Sequence, residues 1–154
     1  MPLCPAAVVV AKPGRVGWAL EEAWDLAVLL DGEARETGYP GVILVYSNLP
    51  RHEIVEKFRR ALRQSFIVRI VVPRVCGTVD SPPRVKPPVE RARLIVALRG
   101  ASKRVPVEEI IVGRLVRDRR SRYIVDVEGV DEIIMVSWGE ARACGYDCTL
   151  VGVE

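Results

Sequence analysis

The chain has 154 residues, 49% hydrophobic and 28% charged, which suits one compact unit or two small packed ones and excludes wholesale disorder. No stretch approaches the roughly 18 apolar residues of a membrane span. The start, MPLCPAAVVVAKPG, lacks the basic region and long apolar run of a signal peptide, so a soluble, cytoplasmic protein is expected. The net charge of +3 hides a segregation: residues 1–75 hold ten Lys/Arg against eight Asp/Glu, residues 76–122 twelve against five, and residues 123–154 one against seven. A basic middle attracts polyanions even when the total is modest. The alternative is that the acidic tail neutralises it in the fold. Arg supplies 19 of the 23 basic residues and offers a planar fork for phosphate. One Asn and one Gln against 43 charged residues point to a thermophile.

Residues 7–11 are an apolar run, read as a buried strand. After the turn Lys12-Pro13-Gly14, the residues Val16, Leu20, Ala23, Trp24, Ala27 and Leu30 recur at helical spacing with Glu21, Glu22 and Asp25 between them. Asp31-Gly32 ends that helix. A short polar strand at 33–37, a turn at 38–41 and an apolar strand at 42–46 follow. Asn48 and Pro50 mark a second helix start, with Ile54, Val55, Phe58, Ala61 and Leu62 as its buried stripe. Residues 68–72 close the series as a strand. The order β-α-β-β-α-β is the ferredoxin-like arrangement, in which two helices cover one face of a four-stranded sheet.

Residues 76–90 hold four prolines and little periodicity, and read as a linker between a domain at 1–75 and another at 91–154. In the second half, 94–98 is a strand and 100–104 a basic loop. Pro106 starts a helix expected to run to about Arg117, with Val107, Ile110, Ile111 and Leu115 as its stripe and Glu108 and Glu109 in the first turn. A short strand at 123–125 and a hairpin of 133–138 with 141–151 around Gly139-Glu140 complete the expectation.

Three segments of the second half resemble a THUMP domain. They are the strand Arg93-Leu94-Ile95-Val96-Ala97-Leu98-Arg99-Gly100, the run Val125-Asp126-Val127 with Asp131 and the strand 133–136, and the closing stretch from Trp138-Gly139-Glu140 to Leu150-Val151-Gly152. In the first half, Thr37-Gly38-Tyr39-Pro40-Gly41-Val42-Ile43-Leu44-Val45, Val55-Glu56-Lys57-Phe58-Arg59 and Arg69-Ile70-Val71-Val72-Pro73 are similar to the single-THUMP adaptors of tRNA cytidine acetylation. The sequence departs from that pattern in three places. The Pro-rich 76–90 stands where the family has helices, Gly129-Val130 where it has Asn-Pro, and Val105 where it has a Ser or Thr cap. The resemblance implies an α+β protein whose ferredoxin-like unit is followed by a small THUMP-like α/β domain. It also implies recognition of the acceptor end of tRNA, and a separate tRNA-modifying enzyme as partner, such as a cytidine acetyltransferase.

Candidate RNA ligands are the cations of the second half. Arg99, Lys103 and Arg104 flank a loop before a helix start; Arg114 and Arg117 share a helix face by their spacing; Arg91 and Arg93 are placed to line the same surface. Tyr123, Trp138 and Tyr146 are candidates for base stacking or for packing. Gly14-Arg15-Val16-Gly17 is a phosphate loop or a plain strand-helix turn. The single histidine, His52, and the absence of a nucleophile elbow, P-loop or GxGxxG leave no expected catalytic centre, cofactor or metal. The four cysteines lack the close pairs of a zinc site. Cys4 precedes the first strand and Cys76 follows the last of an arrangement in which those strands are antiparallel neighbours; they form a disulfide or two buried free thiols. A protein-interaction subunit without RNA affinity is the alternative function.

Overall fold

The computed structural model describes residues 4–60 and 63–154. It is a mixed α/β protein built on two mixed sheets, and it divides into two compact units.

The first unit is Pro5–Val72 with Arg142–Glu154. It runs β1 (Ala7–Ala11), α1 (Val16–Leu29), β2 (Glu33–Glu36), β3 (Val42–Tyr46), α2 (Arg51–Arg59) and β4 (Ile67–Val71), in the order the periodicity predicts. The helix α1 packs through Ala19, Ala23, Leu26 and Ala27, small residues that let its backbone approach the sheet. Trp24, expected in the buried stripe, is exposed instead, because the alanine row turns the helix so that the indole faces away. Of the second stripe, Ile54, Val55 and Phe58 are buried; Ala61 and Leu62 lie outside the described residues.

The second unit is built on Pro73–Ala141. Its elements are β5 (Val75–Thr78), β6 (Arg91–Arg99), a 3-10 turn at Gly100–Arg104, α3 (Val107–Ile110), β7 (Val116–Arg117), β8 (Tyr123–Val130) and β9 (Ile133–Glu140). The strand order is β5-β9-β8-β6-β7, with β6 parallel to both β7 and β8. The chain then returns to the first unit through β10 (Arg142–Ala143) and β11 (Thr149–Val151), giving that sheet the order β10-β11-β4-β1-β3-β2.

Four expectations are corrected. The helix from Pro106 stops at Ile110 rather than Arg117, because Ile111 joins a bridge to Val85: the Val85 amide donates to Ile110 O (2.7 Å) and the Val112 amide to Val85 O (2.9 Å). Residues 76–90 are therefore no free linker; they carry most of β5, and Val85 is buried in the unit's core. The hairpin forms between β8 and β9 around Asp131-Glu132, not around Gly139-Glu140. Asp131 adopts φ 51, a turn conformation that Asp tolerates better than bulkier residues. Finally, residues 142–154 leave the second unit, so the compact units do not follow the boundaries 1–75, 76–90 and 91–154. The cause is burial: β11 runs parallel to β4, and Cys144, Cys148, Leu150 and Val153 join the first unit's core.

Both pairs of cysteines are bonded. Cys4–Cys76 closes a separation of 72 residues with Cα atoms 5.9 Å apart, as the strand arrangement allows. Cys144–Cys148 closes a separation of four.

Candidate nucleic-acid interface

Of the twelve cations in 76–122, eleven are exposed. Arg99 is the exception. Its guanidinium points inward at the fully buried Glu128 carboxylate (3.3 Å) and lies 3.4 Å from the carbonyls of Ala97 and Gly129. Arg99 therefore neutralises a buried charge. Sequence reading missed this because Glu128 is 29 residues away.

The basic loop is a 3-10 turn held by Ser102, whose hydroxyl accepts from the Arg99 amide (2.9 Å) and donates to Arg99 O (2.8 Å). The fully buried Ser102 needs glycine at 129: a Cβ there would come within 2.2 Å of Ser102 Oγ. Lys103 and Arg104 are exposed on this turn. They do not form an anion site with a helix start, because α3 has one turn and Glu108 and Glu109 occupy it.

Arg91, Arg93, Arg114 and Arg117 are gathered elsewhere, along the free edge of the sheet. The two-residue strand β7 pairs Val116 with Arg91 and Arg117 with Ala92. Its parallel pairing is fixed by the Val116 amide donating to Glu90 O (2.8 Å) and the Asp118 amide to Ala92 O (2.9 Å). Asp118 then starts a turn, accepting from the Arg120 amide (3.0 Å), that leaves Arg119 and Arg120 exposed.

Three open depressions meet along this edge. One is lined by Lys86, Pro87, Pro88, Gly113 and Arg114. The next shares Gly113 and is floored by Leu94, Val107, Ile111 and Leu115. The third shares Leu94 and Arg117 and adds Arg93, Ile95 and Arg119. Neighbouring depressions share lining residues, and the three follow the edge as a furrow: exposed cations line every part, and the apolar side chains Leu94, Val107, Ile111 and Leu115 lie in the middle one. The acids of the furrow are Glu90, Glu108 and Asp118, of which Asp118 lies 3.6 Å from Arg91. A Coulombic groove over an apolar floor suits a polyanion with flat, partly apolar units. Arg114 and Arg117 thus belong to one surface, but through a loop and a strand edge rather than a helix face. Lys86 and Arg119 join them from a proline-rich stretch and a turn, segments with no periodicity to mark them.

The aromatic candidates lie off this furrow. Tyr123 and Trp138 pack on the second unit's core, and Arg74 stacks on the Trp138 ring at 5.2 Å. In the first unit, Gly14 takes φ 74 and Gly17 has open space around it, so the Gly-x-x-Gly segment is a turn without close backbone approach. His52 is exposed on α2. Among the described residues no three His, Cys, Asp or Glu side chains come together as a metal site, and no helix is long and apolar enough to cross a membrane.

Compared as a whole, the sequence matches no protein-family model and has no significant match among curated proteins.

Proposed function

We propose that this is an RNA-binding accessory protein of tRNA modification, in which the furrow along β7 holds the RNA and a separate enzyme performs the chemistry. The observation that carries the reading is that Arg93, Arg114, Arg117 and Arg119 come from different elements yet line three adjoining depressions, which share Gly113, Leu94 and Arg117 from one to the next. Cations dispersed for solubility alone have no reason to gather at neighbouring depressions on one sheet edge. Such a groove neutralises phosphates and releases counterions, giving affinity that depends on salt and little on sequence. Preference for tRNA, and for its acceptor end, is drawn from the THUMP resemblance. For the first unit, the strand order β4-β1-β3-β2 with two intervening helices supports the ferredoxin-like reading. The four-residue α3 departs from the longer helix expected of a THUMP-like domain.

The second reading, a protein-interaction subunit without RNA affinity, is favoured by one observation: α1 exposes Trp24 (45%), Val28 (71%) and Leu29 (43%). A gel-shift titration with mature tRNA, and with tRNA lacking its 3′ single-stranded end, at two salt concentrations separates the two. Salt-sensitive binding that drops when the end is removed supports the proposal. No binding at low salt leaves the interaction subunit.

A further inference from the structure

The five-residue loop from Cys144 to Cys148 is constrained far beyond what its burial requires. The Cys144–Cys148 disulfide closes it, with both sulfur-bearing residues buried. Its backbone is pinned to the strand side by the Gln64 amide donating to Cys144 O (2.8 Å) and by a parallel bridge between Gln64 and Gly145. The fit is tight enough that a Cβ on Gly145 would come within 2.3 Å of Gln64 O. Yet the residue at the tip, Tyr146, is 81% exposed. A large aromatic on a mobile loop would cost ordering entropy whenever it engaged a ligand; on this one the cost is met in folding.

The surroundings say what such a ligand is. Lys12 Nζ donates to Tyr146 O (3.0 Å) and sits 5.7 Å from the centre of its ring. The Lys12 amide donates to Phe66 O (2.8 Å), and Phe66 stacks on Trp18 at 5.6 Å, leaving Trp18 58% exposed. Arg15, also exposed, donates its amide to Lys12 O (3.0 Å). One acid, Glu22, is engaged with the amides of Ser65 and Phe66 (2.8 and 2.6 Å); Asp147 is exposed in the loop. Lys12 thus touches Tyr146 with its side chain, and its backbone holds Phe66, whose ring carries Trp18; Arg15 is exposed three residues on in the same turn. Flat faces next to cations match a nucleobase and its phosphate.

We infer that Tyr146 and Trp18, with Lys12 and Arg15, form a base-stacking platform for unpaired nucleotides of single-stranded RNA, on the first unit and additional to the furrow of the second. The inference rests on the RNA-binding reading but on residues that the furrow does not contain. The disulfide presents the Tyr146 ring, the ring stacks on a base, and the cations hold the adjoining phosphate.

The test is binding of a short 5′-labelled oligoadenylate to the full chain, with inorganic polyphosphate as a second ligand that has charge but no bases. Tyr146→Ala is expected to weaken the oligoadenylate complex about ten-fold, Tyr146→Phe to bind as the parent does, and both to retain the parent affinity for polyphosphate. Tyr146 is exposed, so neither change disturbs the core, and the polyphosphate arm reads fold and charge independently. Tyr146→Ala binding oligoadenylate like the parent overturns the platform. So does a parallel loss for polyphosphate, which would mean that the substitution acts through the fold or charge of the surface and not through stacking on a base. Arg93→Ala with Arg117→Ala separates the two readings. If that pair lowers tRNA affinity while Tyr146→Ala changes nothing, the platform falls and the furrow stands. If neither RNA binds the parent chain at low salt, both fall.

Discussion

Arg99 shows how far a residue's chemistry depends on a partner that the local sequence does not display. As the last residue of a strand before a basic loop it has the marks of a phosphate ligand, but its side chain is only 17% exposed and faces Glu128, which is fully buried. Arg99→Ala leaves that carboxylate without its guanidinium, so unfolding by denaturant should show a loss of about 3 kcal/mol. Its RNA affinity, measured on folded protein, should stay at the parent value. An Arg99→Ala protein of unchanged stability and weakened RNA binding would restore the sequence-based role. Tyr46 is a second case. Burial holds its phenol above its ordinary value of 10.0, while the Arg35 guanidinium, stacked 4.5 Å from the ring centre, pulls the other way. The fold favours the neutral phenol, so this stabilisation is complete below pH 10 and is lost as pH rises through the raised value. Alkaline melts of Tyr46→Phe should therefore decline less steeply above pH 10 than those of the parent.

At the level of elements, the β-α-β-β-α-β series was readable because each piece carries its own period and the turns agree with it; the caps do not, since α2 starts at Arg51 behind Pro50 with no side-chain cap where Asn48 was expected to supply one. The second unit was harder for a physical reason. Val107, Ile110, Ile111 and Leu115 have helical spacing, but one helical turn, a bridge and a strand edge bury the same residues without a continuous helix. The competing partner, Val85, lies in a stretch whose prolines read as linker. Hydrogen exchange tests this directly: the Val85 and Val112 amides, both bonded across that bridge, should exchange slowly, at rates comparable with core strands. Rapid exchange at both would mean that 76–90 is the open connection its composition indicates. The candidate site shared the same fate. Its cations were visible as a charge excess, but their convergence depends on β7 pairing with β6, which two residues of strand cannot announce. Likewise Gly139-Glu140 has the composition of a turn, whereas Asp131-Glu132 forms one.

For the molecule as a whole, the Cys4–Cys76 bond is the longest-range covalent constraint. Closing a separation of 72 residues lowers the entropy of the unfolded chain by an amount worth about 4 kcal/mol, against about 2 kcal/mol for the short Cys144–Cys148 ring. Denatured but unreduced protein should show no free thiol, and Cys4→Ser with Cys76→Ser should lower stability more than Cys144→Ser with Cys148→Ser. The nearness of Cys4 to Cys76 was legible because it follows from two strands being antiparallel neighbours; whether they bond was left open. The short bond was not legible, since no strand pairing read from the sequence brings Cys144 to Cys148. The charge segregation of the sequence becomes, in the fold, a cation-lined edge on the second unit, and RNA binding by that edge is the central claim. The salt dependence of tRNA affinity, for the parent and for Arg93→Ala/Arg114→Ala/Arg117→Ala, tests it most directly. Three lost phosphate contacts should weaken binding and reduce the slope of log affinity against log salt by about three. An unchanged slope and affinity in the triple variant would contradict the account.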